Sequence, residues 1–78
     1  MIIGDIRILQ TLIKTGEVSY KDFRMLYNPW MGDIFFDTRI KVLYKLGLVN
    51  YNRIRRICIT DKGEEFLVQN DLYGGVKP

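Results

Sequence analysis

Three guanidinium groups fall within four residues, at Arg53, Arg55 and Arg56. Crowded at the end of a hairpin, they repel one another unless an anion lies between them. A nucleic-acid backbone supplies that anion at regular spacing. Upstream, Lys41 and Lys45 stand four residues apart, so on a helix they share a face. Thr38 adds a hydroxyl and a methyl to the same face and Val42 an apolar group, with Phe35, Arg39 and Lys62 as further candidates. Residues 38–63 hold seven basic side chains and one acidic one, a net of +6. The overall +3 therefore conceals a strongly segregated charge, which is the electrostatic footprint of a nucleic-acid surface.

Other chemistries lack their parts. The chain has no His and one Cys, so the common zinc spacings are absent. The lone Ser19 has no imidazole to activate it, and no phosphate-cradling loop occurs. We therefore expect no enzyme activity, no metal and no cofactor. Cys58 cannot form an internal disulfide and reads as a small, half-buried strand residue in a reducing compartment. No apolar run reaches the length of a membrane span, and Met1-Ile2-Ile3 is too short for a signal-peptide core. A cytoplasmic protein without membrane partners is expected. Seventy-eight residues suffice for one small domain. We place it at 1–70, with 71–78 as a flexible tail. Ten Ile and no Ala mean that packing, more than helix propensity, must hold it together.

The elements that position these groups follow from periodicity. From Asp5 to Thr15, Ile6, Leu9 and Ile13 lie on one helical face, widened by Leu12, and Gly16 ends the helix. Ser19 is a strong N-cap, with Asp22 suiting the first-turn dipole, and Phe23, Leu26 and Tyr27 form a short apolar face. Glu17-Val18 is a brief strand or a plain connection. Asn28-Pro29 is expected to end this second helix. Asn28 to Gly32 then forms a bulky turn whose Trp30 closes over the core.

Asp33 can cap a third helix running to about Leu46. Phe36, Ile40 and Leu43 face inward, leaving Ile34, Phe35, Thr38, Lys41, Val42 and Lys45 outward. Leu48 to Asn52 and Ile57 to Thr60 alternate as two strands around the basic segment Asn52 to Arg56. Thr60 caps a short fourth helix carrying Glu64, Glu65, Phe66 and Leu67.

Two segments in that order carry a family resemblance. Leu43-Tyr44-Lys45-Leu46-Gly47-Leu48-Val49 resembles the junction between recognition helix and wing in the winged helix-turn-helix superfamily. Ile59-Thr60-Asp61-Lys62-Gly63 resembles that superfamily's entry to the helix after the wing. The chain is similar to small MarR-like and archaeal or viral winged-helix regulators. The resemblance implies an α+β fold: a single winged helix-turn-helix domain of three helices, a β-hairpin wing and a short C-terminal helix. It also implies a transcriptional regulator that binds double-stranded DNA sequence-specifically. The recognition helix, about 33–46, would enter the major groove, and the wing, 52–56, would touch the backbone or minor groove. In such a fold Lys41 and Lys45 would donate to guanine acceptors, Thr38 would use its hydroxyl or methyl and Val42 would meet a thymine methyl, with Phe35, Arg39 and Lys62 flanking.

Asp33 and Asp37 depart from a simple basic recognition helix and need a cap or partner to avoid repelling phosphates. A homodimer would double the half-site, with Ile3, Ile8, Leu12, Leu72 and Tyr73 as candidate interface residues. No small-molecule effector is expected. Two alternatives are a protein–protein interaction module docking through Ile34, Phe35 and Val42, and a replication or nucleoid factor that binds DNA without sequence preference.

Overall fold

Four helical stripes meet the inner face of a small sheet, and every stripe contributes to one core. The computed structural model describes residues 3–31, 33–52 and 54–70, the side chains of 27–31 and 33 excepted. The elements are α1 (Ile3–Thr15), β1 (Val18–Ser19), α2 (Tyr20–Met31), α3 (Asp33–Lys45), β2 (Val49–Tyr51), β3 (Arg56–Ile59) and α4 (Asp61–Gln69). Among the described residues this is an α+β domain of four helices and a three-stranded antiparallel sheet in the order β1-β3-β2. Among the described residues no helix is long and apolar enough to cross a membrane.

Helix α3 buries Phe36, Ile40 and Leu43, the three positions that its periodicity selects. They meet Ile8, Leu9 and Leu12 of α1, Tyr20 and Phe23 of α2, Val49 and Ile57 of the sheet, Leu48 and Leu67. Each such side chain contributes roughly 1.5–3 kcal/mol relative to exposure, which is how an Ala-free chain holds its helices.

Helix α1 sits rotated from the expected stripe. Ile8, Leu9 and Leu12 are fully buried, whereas Ile6 and Ile13 pack only partly against the core. The cause is Asp5, which is 0 % exposed and lies one turn before Ile8 and Leu9 on the inward face. Its carboxylate accepts a 2.8 Å hydrogen bond from Arg39 Nε and a second bond from the same guanidinium, forming a bidentate pair. A stripe drawn through apolar residues alone passes over a paired carboxylate. The rotation also removes Ile8 and Leu12 from the candidate homodimer surface. Ile3 stays exposed, and Leu72 and Tyr73 lie outside the described residues with the rest of the tail.

The second correction concerns Asn28-Pro29. Helix α2 continues through both residues to Met31, so the expected turn from Asn28 shrinks and α3 begins at Asp33. Proline removes one donor, that to the Met25 carbonyl, and disfavours helical geometry at Asn28. Both effects are local, and packing of α2 against α3 outweighs them. The expected role of the Trp30 side chain falls outside the described residues. Of α2's expected apolar face, Phe23 is buried but Leu26 is exposed, and Tyr20 takes the inward place instead.

The α3–β2 junction explains the Leu-Gly-Leu sequence. Leu48 N–H donates to the Leu43 carbonyl at 3.0 Å and Gly47 N–H to the Tyr44 carbonyl at 2.9 Å, a Schellman ending. Gly47 adopts φ +78°, which a side chain would strain. Thr60 fastens this turn to α4: its hydroxyl donates to the Gly47 carbonyl at 2.6 Å and accepts from Gly63 N–H at 3.0 Å. At Gly63 a Cβ would fall 2.2 Å from the Leu48 carbonyl oxygen, so the first turn of α4 can approach only because that residue is glycine.

Candidate nucleic-acid interface

The basic groups divide between one face of α3 and the hairpin that follows it. On α3, Lys41 and Lys45 are exposed, directly opposite the buried Phe36, Ile40 and Leu43. Thr38 and Ile34 continue the same stripe toward the helix start, with Ile34 85 % exposed and Phe35, beside it, 47 % exposed. Val42 is half-buried at the margin. The Thr38 hydroxyl donates to the Ile34 carbonyl at 2.9 Å. Its proton is thus engaged within the helix, leaving an acceptor oxygen and a methyl to face outward.

Arg39 is committed inward to Asp5, and its side chain is only 19 % exposed. The Asp5 carboxylate, by accepting those hydrogen bonds, raises the guanidinium above its ordinary pKa despite some desolvation. Arg39 therefore joins α3 to α1, and its geometry does not present it as a flanking contact. Asp37 is likewise neutralised by partners: it accepts from the Tyr20 hydroxyl at 2.6 Å and lies 3.8 Å from Arg24. Asp37, one of the two carboxylates expected to need a cap or partner, thus has partners on α2. The Asp33 side chain lies outside the described residues.

An aromatic contact sets α3 beside the hairpin. The Tyr44 ring meets Tyr51 of β2 edge-on at 5.2 Å, and Tyr51 stacks on Tyr20 at 5.5 Å. Tyr20 in turn meets Phe36 of α3 edge-on at 5.9 Å. Tyr44 stays exposed on its other side, next to Lys41 and Lys45 in the helix surface. The alternation of strand faces would have flagged Tyr51 as an inward residue, but its partners are distant in sequence.

Strand register decides where the arginines go. Asn50 pairs with Cys58 and Tyr51 with Ile57. The Asn52 N–H donates to the Arg56 carbonyl at 2.9 Å and carries that register one step further. Ile57, Val49 and Ile59 consequently take the core side, while Asn50, Asn52, Arg56 and Cys58 share the outer face. Arg56, expected at the tip, is the first residue of β3 and pairs with Ser19 of β1. Arg55 and Arg56 border a shallow cleft of about 280 Å³ on that outer face, together with Glu17, Asn50, Tyr51, Asn52 and Cys58. Glu17 brings one acidic residue to the lining of that cleft. Arg53 lies outside the described residues.

The turn itself is tightly specified. Arg55 N–H donates to the Asn52 carbonyl at 2.9 Å, and Ile54 N–H to Asn52 Oδ1 at 3.1 Å. Tyr20 N–H donates to the Arg55 carbonyl at 2.9 Å, so the start of α2 braces the end of this turn. Lys62 is exposed, and its side chain passes over Gly47 at the end of α3, where a cation complements the helix dipole. Lys62 thus lies beside the end of α3 that carries Lys45. No family model, curated protein or solved structure matches this chain.

Proposed function

We propose that the chain is a winged helix-turn-helix regulator that binds double-stranded DNA sequence-specifically. Helix α3 enters the major groove, and the β2–β3 hairpin lies on the flanking backbone or minor groove. One observation carries this reading: Lys41 and Lys45 stand outward on a helix whose opposite face is wholly buried, and the Tyr44–Tyr51 contact fixes that helix beside the basic hairpin. Within it, Lys41 and Lys45 influence base choice, Thr38 and Val42 offer apolar groups, and Arg55 and Arg56 neutralise phosphates, with Arg53 as their neighbour in sequence.

The test is duplex binding at two salt concentrations. Arg55→Ala/Arg56→Ala should weaken binding on every sequence and flatten the log–log salt slope by about 1.8, two phosphates at about 0.9 each. Lys41→Ala and Lys45→Ala should alter the sequences recovered from a randomised-site selection, whereas equal loss on all sequences would make them phosphate contacts only. A second reading is favoured by the exposure of Ile34 and Phe35 on α3. There the same face docks on a protein, and absence of duplex binding at low salt would select that reading. Tight binding without sequence preference would instead indicate a nucleoid or replication factor.

A further inference from the structure

Tyr20 grips α3 and the hairpin at once, through three separate groups. Its backbone N–H donates to the Arg55 carbonyl at 2.9 Å, in the turn between β2 and β3. Its ring stacks on Tyr51 of β2 at 5.5 Å and meets Phe36 of α3 edge-on at 5.9 Å. Its hydroxyl donates to Asp37 of α3 at 2.6 Å, and Arg24, one turn further along α2, backs that carboxylate at 3.8 Å. Tyr20 is only 2 % exposed, so it lies beneath the basic surface and reaches no ligand itself.

The placement of these grips matters. Helix α3 and the hairpin diverge from the turn around Gly47, and the chain joins them at that vertex alone. Tyr44 against Tyr51 holds the two arms close to the vertex, since Tyr44 is one residue from the end of α3. Asp37 lies eight residues before Lys45, about 12 Å along the helix, and Arg55 closes the turn at the other end of the hairpin. A residue that holds both points spans the opening between the arms. A phenol suits the task, with a rigid ring to pack and a polar tip for a carboxylate.

We propose that Tyr20 is a positioning residue, a strut that sets the angle between α3 and the basic hairpin. The proposal rests on the DNA-binding reading above and adds what keeps its two sets of contacts in register. Lys41 and Lys45 on one arm and Arg55 and Arg56 on the other then engage one duplex as a preformed pair. Once either set docks, the other is held at a high effective concentration near its own contacts. Loss of the hydroxyl–carboxylate bond leaves every one of those charges in place but lets the arms vary in angle, which lowers that effective concentration.

The experiment measures duplex affinity of the full chain at low salt, well below the melting temperature. Tyr20→Phe should weaken binding about threefold to tenfold in the parent. In the Arg55→Ala/Arg56→Ala background it should change affinity less than about twofold, because no hairpin contacts remain for the strut to place. Phenylalanine keeps the ring contacts, so circular dichroism should show a folded variant with a lower melting temperature. Asp37→Ala breaks the same bond from the α3 side. Its charge change acts alike in both backgrounds, so the ratio of its two effects should again be about threefold to tenfold. Asp37→Asn keeps an acceptor oxygen for the hydroxyl and should bring that ratio near one. A lower melting temperature with undiminished parent affinity, or an equal loss in both backgrounds, makes Tyr20 a packing residue only and overturns the strut while leaving DNA binding intact. A parent that binds no duplex at low salt overturns both readings together.

Discussion

Glycine 63 shows how one absent methyl group can set a helix in place. Its missing Cβ would lie 2.2 Å from the Leu48 carbonyl oxygen and 2.6 Å from Ile59 Cγ1, and the carbonyl belongs to backbone that cannot swing aside. Gly63→Ala should therefore destabilise the protein by about 3 kcal/mol, at the upper end of ordinary overpacking, as read by urea denaturation. At Gly47 the obstacle is different. The position has room, since the nearest atom to an added Cβ is Lys62 Cδ at 3.5 Å, but φ is +78°. Gly47→Ala should cost only the backbone strain, about 1–2 kcal/mol. A larger loss at Gly47 than at Gly63 would contradict this assignment of causes. Tyr20→Phe removes the 2.6 Å bond to Asp37 and should cost about 1–3 kcal/mol while leaving the ring stack on Tyr51 in place. Both glycines stand out in the sequence. Their reasons do not, because a close approach depends on which carbonyl arrives from elsewhere in the chain.

At the scale of elements, the informative case is the end of α2. If Asn28-Pro29 formed a turn, Pro29→Ala would lose a favourable constraint on the unfolded chain, worth about 0.4–1 kcal/mol. In the helix that α2 forms through Met31, the same change restores a donor to the Met25 carbonyl and replaces the poorest helix former with the best, worth up to about 3 kcal/mol. The second effect is larger, so Pro29→Ala should raise the melting temperature by several degrees; a drop would indicate the turn. Helix α3 was legible throughout, with boundaries within one residue and its three inward positions correct, because a single stripe faces a single core. The hairpin was legible as an element but not in its register. β2 is shorter than the expected 48–52, and β3 keeps its expected length but starts one residue earlier, so that Arg56 pairs with β1 and lies on the outer face instead of at the tip.

On the scale of the whole molecule, the Asp5–Arg39 pair joins the first helix to the helix that carries the proposed base-reading face. Because Arg39's pKa is raised on folding, its contribution is present at every pH below the ordinary guanidinium range and fades only as pH rises through the folded value. The stability difference between the parent and the double variant Asp5→Asn/Arg39→Met, which leaves no unpaired carboxylate, should thus stay flat from about pH 6 to 10 in parallel thermal melts. A difference that changed across that window would assign the pair's contribution to another titrating group. The sequence alone determined the segregated charge, the order of helices and hairpin, the inward face of α3 and the cap at Thr60. These depend on spacing and on neighbours a few residues away. Only the tertiary structure decided that Asp5 is buried, that Arg39 is held by it, that Asp37 is held by Tyr20 and Arg24, and that Tyr44 meets Tyr51. Each of these is a pairing of polar or aromatic groups across elements, and local periodicity contains no term for a partner up to 34 residues away.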